Sequence, residues 1–246
     1  MKYKIIPLNL GMGEMGEKSR FTYFENFGEK MRIVYIAWIV DGGGKKILID
    51  SGPGNGEWAR MYRGKNLTPG PAGDLAGALS RLAIDPAELD LVICTHLHWD
   101  HCIDSRIFPK AKFLVQNREL IHAVNPIPSQ KVIYGWVGNE VAPFLWVSGR
   151  YEIIKGDKEI LPGIDVIFTP GHTPGSQGVL VNTGSTRFFI ASDTIPLFEN
   201  WETRTPSGIH VNLEEYEDSF KRIESLKDVF VLPGHDPRVF DRDQYF

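Results

Sequence analysis

Three of the chain's seven histidines fall within six residues, in the run His96-Leu97-His98-Trp99-Asp100-His101. Imidazole nitrogens and carboxylate oxygens are the usual non-thiolate ligands of zinc and related divalent ions. His96 and His98 are one residue apart, so on an extended backbone both point the same way. Asp100 and His101 need a turn, which would aim them at a second point nearby. One short run can therefore serve two ions. The competing reading is a set of polar residues on a solvated loop, and the clustering of a rare residue type argues against it.

Single residues elsewhere supply what one cluster cannot. His172 sits in Thr169-Pro170-Gly171-His172-Thr173-Pro174-Gly175-Ser176, where two Pro-Gly pairs would fix a tight loop. Asp193 follows the β-like run 187–191, and His235 follows 229–232 in Pro233-Gly234-His235. Taken alone each is a turn residue. Taken with a two-ion cluster, three such residues at strand ends read as further ligands.

The elements that must position these groups are short and mixed. The run 32–40 is rich in β-branched and aromatic residues, ends in Asp41-Gly42-Gly43-Gly44, and is followed by 45–50, so the two predict a hairpin. The nearly all-apolar run 90–95 directly precedes the histidine cluster and suits a strand buried on both faces. Further strand candidates are 111–116, 164–169, 178–182, 187–191 and 229–232. Helices are expected over 74–83, 116–124 and 213–227, the last with Leu213, Tyr216, Phe220, Ile223 and Leu226 at three- or four-residue steps. Interleaved strands and helices predict an α/β layer architecture. Chemistry in such folds sits at the carboxyl ends of strands, which is where the candidate ligands fall. We read 1–246 as one domain with an irregular, substrate-side insertion at 125–150.

Composition narrows the partners. The 27 basic and 31 acidic residues give a net charge of −4, which disfavours a nucleic-acid partner. The apolar run near the start is broken by Pro7 and is too short for a signal segment, and no stretch reaches the ~20 apolar residues of a membrane span. The expectation is a cytoplasmic protein acting on a small molecule. Cys94 and Cys102 read as free thiols, with Cys102 as a metal ligand the weaker alternative.

The complete pattern, His96-x-His98-x-Asp100-His101 followed by His172, Asp193 and His235, resembles the binuclear ligand set of the metallo-β-lactamase superfamily. Leu48-Ile49-Asp50-Ser51-Gly52 and the 169–176 loop are similar to its recurring motifs. The resemblance implies a four-layer αβ/βα sandwich with two metals at one edge of the packed sheets. It implies that His96, His98 and His172 hold one divalent ion, that Asp100, His101 and His235 hold the other, and that Asp193 bridges them. Asp50 would support the ligands by hydrogen bonding. The ions implied are zinc, with manganese, cobalt or iron also compatible. Two ions ~3.5–4 Å apart can share a water and lower its pKa toward ~7. Asp100, beside the resulting hydroxide, would be the proton-handling residue.

Within that superfamily the chain is most similar to the N-acyl homoserine lactonase group, which implies opening of a small cyclic ester and a possible homodimer. Asp193 disfavours the best-known β-lactamases, which carry Cys at that point. One departure is Pro196, where many lactonases carry a tyrosine three residues after the bridging Asp. The alternatives are another ester, a thioester, a cyclic amide or a di-iron redox protein. Tyr134, Trp136, Phe144, Trp146, Phe198, Trp201 and His210 are the candidates for lining the substrate pocket, with Tyr134 as the stand-in phenol.

Overall fold

The computed structural model describes residues 2–246. Fourteen strands follow one another as β1 (Tyr3–Met12), β2 (Gly16–Glu17), β3 (Lys30–Met31), β4 (Val34–Gly42), β5 (Lys45–Ile49), β6 (Thr68–Pro69), β7 (Leu91–Ile93), β8 (Lys112–Gln116), β9 (Tyr151–Ile154), β10 (Lys158–Leu161), β11 (Ile164–Phe168), β12 (Gln177–Asn182), β13 (Arg187–Ser192) and β14 (Val229–Pro233). Among the described residues six α-helices are set between them: α1 (Glu57–Arg63), α2 (Leu75–Arg81), α3 (Trp99–Cys102), α4 (Asn117–Val124), α5 (Phe198–Thr203) and α6 (Leu213–Ser225). One sheet runs β6-β1-β4-β5-β7-β8-β9 and a second runs β10-β11-β12-β13-β14.

The layering can be read off β4. Successive side chains of a strand point to opposite faces. Val34, Ile36, Trp38 and Val40 therefore enter the core between the sheets, where they meet Val166, Val179, Val181 and Ile190. Tyr35, Ala37 and Ile39 enter a different core on the sheet's outer face, against Leu75 and Leu79 of α2. A strand buried on both faces reads as a continuous apolar run, as this one does. The second sheet's outer face, with Leu180, Phe189 and Val231, is covered by Tyr216, Phe220 and Ile223 of α6. The result is a helix–sheet–sheet–helix sandwich. Among the described residues no helix is long and apolar enough to cross a membrane.

The hairpin expected from 32–50 is β4 and β5, paired antiparallel. The longest strand, β1, was hidden by Pro7. Pro7 pairs with Trp38 in register, yet its missing N–H costs nothing. The Ile5 amide donates outward, away from β4, to Tyr245 O at 2.9 Å. Alternate residues turn their N–H groups to the same edge, so Pro7 also faces outward, where β6 pairs only with Gly11 and Met12. The short elements β9, β10, α1 and α5 had no periodicity to reveal them.

Parallel pairing brings the site together. β5 runs parallel to β7, with Ile49 opposite Ile93, so Asp50 and the segment leading to His96 leave the sheet side by side. β13 runs parallel to β14, with Ser192 opposite Pro233, which does the same for Asp193 and His235.

Candidate metal centre

After β7 the chain bends at Thr95, is extended at His98, and then winds one turn as α3. Leu97 points into the core and is fully buried, while His96 and His98 turn to the opposite side. His96 Nε2 and His98 Nδ1 lie 3.0 Å apart, and His98 Nδ1 lies 3.1 Å from His172 Nε2. Asp193 Oδ2 is 3.3 Å from His172 Nε2 and 4.0 Å from His96 Nε2. These four side chains form one group of potential ligands. The turn of α3 carries Asp100 and His101 to a second group with His235. The other oxygen of Asp193, Oδ1, is 2.9 Å from His235 Nε2 and 3.3 Å from His101 Nε2.

The tautomers follow from what each ring does on its far side. His172 Nδ1 donates to Ile209 O and His235 Nδ1 donates to Val34 O, both at 2.8 Å. His101 Nδ1 donates to Asp50 Oδ2 at 2.8 Å. In its neutral form each of these rings therefore presents an Nε2 lone pair inward. Several lone pairs and a carboxylate converging within 4.8 Å suit a cation. Zinc bonds of ~2.1 Å set tetrahedrally place ligand atoms ~3.4 Å apart, close to the spacings found. His101 Nε2 and Asp193 Oδ1 are buried with no hydrogen-bond partner among the described residues, although they face one another. His98 presents Nδ1 instead, and its Nε2 is likewise unpartnered. These donors fit two divalent ions.

Electrostatics divide the centre. Burial, reinforced by neighbouring histidines, holds His96 and His98 well below the usual imidazole range, which keeps them neutral as ligands. Burial also lowers His172, against the pull of Asp193. Burial would lower His101 and His235 too, but Asp193 and the other carboxylates outweigh it and raise both. Burial would raise Asp193, yet His235, His101 and His172 hold it well below the carboxylate range, so it is ionised.

Asp50 is 2% exposed and ties the ligand loops together. Its Oδ1 accepts from the Thr95 amide and its Oδ2 from the Thr95 hydroxyl, both at 2.7 Å. Thr95 Oγ1 lies 3.1 Å from His96 Nδ1, so one carboxylate steadies rings in both groups. Asp50 and Ser192 adopt left-handed backbone at φ 59° and 48°, a conformation that non-glycine residues hold only under tertiary constraint.

Glu119 was not anticipated. It is fully buried on α4 and joins the two loops that carry the first group. Its Oε1 accepts from the Leu97 amide at 2.9 Å and the Tyr134 hydroxyl at 3.1 Å. Its Oε2 accepts from the Thr173 hydroxyl at 2.6 Å and the Gly175 amide at 3.1 Å. A Cβ on Gly175 would stand 2.2 Å from the Glu119 nitrogen, so only glycine allows this approach.

The candidate pocket residues correct the sequence reading. The cleft over the centre is lined instead by Phe21, Met31, Ile33, Tyr35 and Ile209 together with several charged groups. Tyr134 and Phe144 are fully buried in the outer core. Trp136 donates its indole N–H to Ala123 O at 2.7 Å. Phe198 packs on Phe230, and Trp201 stacks on Phe220. His210 donates from Nδ1 to Ser207 O at 2.8 Å and packs on Tyr23. Trp146 lies under Arg106 in a separate cleft. Tyr134 and Phe144, in the aperiodic stretch 125–150, face the sheet because the sheet's outer face needs covering. Only Ile133 of that stretch lines the cleft. Cys94 and Cys102 are free and buried, and the Cys102 thiol faces Leu97 O at 3.6 Å, away from both ligand groups.

A family model described as the metallo-beta-lactamase superfamily matches residues 34–235. An N-acyl homoserine lactonase from Bacillus sp. is 31% identical over 170 residues, 66% of this chain and 62% of that protein, so the chain spans less than two thirds of its relative's length. The solved structure of an N-acyl homoserine lactone hydrolase, with the product N-hexanoyl-L-homoserine at its catalytic metal centre, superposes with a TM-score of 0.80 at 22% identity, covering 98% of this chain and 96% of the other. AidC, a dizinc quorum-quenching lactonase, superposes at 0.70 with 18% identity, covering 96% and 88%.

Proposed function

The chain belongs to the metallo-beta-lactamase superfamily, and from that premise we propose that it is a metal-dependent hydrolase that opens a small lactone. The observation that carries this reading is Asp193, which turns one oxygen to each of two ligand groups and so builds a shared centre at the floor of an open cleft. The similarity to N-acyl homoserine lactonases supports the choice of a cyclic ester. The ligands are His96, His98 and His172 for one ion, Asp100, His101 and His235 for the other, with Asp193 between. Zinc is the metal we assign, on the all-N,O donor set and the dizinc neighbour. Two such ions supply a water of lowered pKa and Lewis acidity toward an ester carbonyl.

The chain's own groups do the rest. Asp100, half-buried at the cleft floor, takes the proton of the attacking water and returns it to the ring oxygen as the C–O bond breaks. Asp50 keeps His101 in the tautomer that faces the centre. Pro196 is buried and its carbonyl accepts from the His235 amide at 2.8 Å, so this position braces a ligand loop. The phenol that the cleft offers is Tyr35, which packs edge-on to His235. Burial, with Asp100 adding to it, raises the Tyr35 phenol, so it stays protonated and can donate to the carbonyl oxygen.

The test is a zinc-loaded sample assayed on N-acyl homoserine lactones, simple γ-lactones, thioesters and β-lactams. Lactone turnover that is lost in His98→Ala, with the fold retained by circular dichroism, is the expected result. Turnover of thioesters alone would sink the lactonase reading.

A further inference from the structure

The chain is acidic overall, yet its cleft is not. Arg20, Arg63 and Lys65 line it, against the carboxylates of Glu14, Asp100 and Asp193. Those carboxylates are committed. Asp100 and Asp193 belong to the ligand groups. Glu14 accepts from Asn66 Nδ2 at 2.7 Å and lies in the field of Lys65. The two side chains have no such commitment: neither the Arg20 nor the Arg63 guanidinium makes a hydrogen bond or an ion pair among the described residues. Arg20 is exposed at the mouth, while Arg63 ends α1 and is half-buried.

Holding Arg63 there is costly. Burial lowers it first, Asp100 opposes that without touching it, and Arg20 lowers it further. Two like charges kept together beside a cleft, with no protein acceptor on either guanidinium among the described residues, favour an anion that enters from outside. A guanidinium presents its N–H donors in a planar fork that matches both oxygens of a carboxylate. The remaining walls, Phe21, Met31, Ile33 and Ile209, suit a short apolar spacer.

We propose that the substrate carries a carboxylate besides the ester that is opened, and that Arg20 and Arg63 receive it. This rests on the hydrolase reading above and names the class of ester: an acidic lactone, unlike a purely alkyl one. Arg20 and Arg63 are then specificity residues.

Two lactones that differ only in charge test it, N-succinyl homoserine lactone and its terminal carboxamide, with N-hexanoyl homoserine lactone as neutral reference. The expected result is a kcat/KM at least ~10-fold higher for the acid, the range of a charged hydrogen-bonded contact. That ratio should fall toward one in Arg63→Gln and in Arg20→Gln, and should shrink with added salt. Equal kcat/KM for acid and amide would overturn the proposal. So would a preference that survives both substitutions. If Arg63 acts only through Asp100, Arg63→Gln lowers kcat for both substrates alike and leaves the ratio intact, which also overturns it. If none of the three lactones is turned over, the lactonase reading fails by itself. The anion site is then read by calorimetric titration of zinc-loaded protein with the two ring-opened products. Tighter binding of the acid, lost in the variants, sustains the site, and equal binding removes it.

Discussion

Glu119 Oε2 accepts a 2.6 Å hydrogen bond from the hydroxyl of Thr173, the residue next to His172. Its other oxygen accepts from Leu97, between His96 and His98. A single buried carboxylate thus sets the spacing of the three histidines in the first group.

Glu119→Gln tests this clamp with little change in shape. The hydroxyls of Tyr134 and Thr173 can rotate to accept, but the amides of Leu97 and Gly175 cannot. Each oxygen of Glu119 faces one of those amides, so whichever side the new NH₂ takes, donor meets donor. An unsatisfied buried group costs about 1–3 kcal/mol, to be read by chemical denaturation of the metal-free protein. Loss of an outer-shell partner costs metal affinity ~10–100-fold, to be read by competition with a chromophoric chelator. Unchanged affinity would reduce Glu119 to a packing role.

Asp50→Asn should affect the second group selectively. An Asn nitrogen in place of Oδ2 would face the His101 Nδ1–H, which now donates at 2.8 Å. Relief requires His101 to move its proton to Nε2, the atom turned toward Asp193. That nitrogen could then no longer bind an ion. Elemental analysis after dialysis should fall from two metals per chain toward one, with activity lower by ~10–100-fold or more. Two tightly held ions in the variant would refute the tautomer assignment.

The two groups of potential ligands were legible because their chemistry is carried by residue type. Histidine is rare here, and clustering and strand-end placement need no tertiary information. The α/β layering followed from interleaved elements, and the four-layer sandwich from the resemblance that the histidine pattern carried. What the sequence concealed was direction. In α4, Glu119 is buried on the same face as Ala123, while Ile121 and Val124 are exposed, so hydrophobicity pointed to the wrong face. The same failure placed Tyr134 and Phe144 in the pocket. An aromatic in an irregular stretch can cover a sheet or line a cleft, and only the path of the backbone decides. Tyr35 was hidden for the opposite reason: it sits in a strand that reads as core throughout, at the one position where that face reaches the cleft.

Tyr35→Phe removes the hydroxyl and leaves a ring that still packs on Trp99 and His235. If the phenol donates to the carbonyl as charge develops there, kcat should fall by roughly 10–1000-fold with KM little changed, the behaviour of a lost oxyanion donor. Steady-state kinetics on the lactone found active, with metal content checked, decides it. A rise in KM alone would assign Tyr35 to substrate packing.

Asp104 offers a test of the fold's pH response outside the two ligand groups. Its Oδ2 is buried and unpartnered. Burial first, then Asp74, pushes its carboxyl up to about 7. A carboxyl raised in the folded state stabilises the fold only while protonated. That contribution is complete below the ordinary value of ~4 and is lost as pH rises through about 7. Asp104→Asn keeps an acceptor for the Leu75 amide and cannot ionise. The variant should therefore gain on the parent as pH rises. The difference in unfolding free energy should move in its favour by about 2–3 kcal/mol between pH 5 and pH 9, at 1.36 kcal/mol per unit over the two units below the raised value. Denaturant melts of both proteins at the two pH values measure it. A constant difference would show that Asp104 titrates as an ordinary exposed carboxylate.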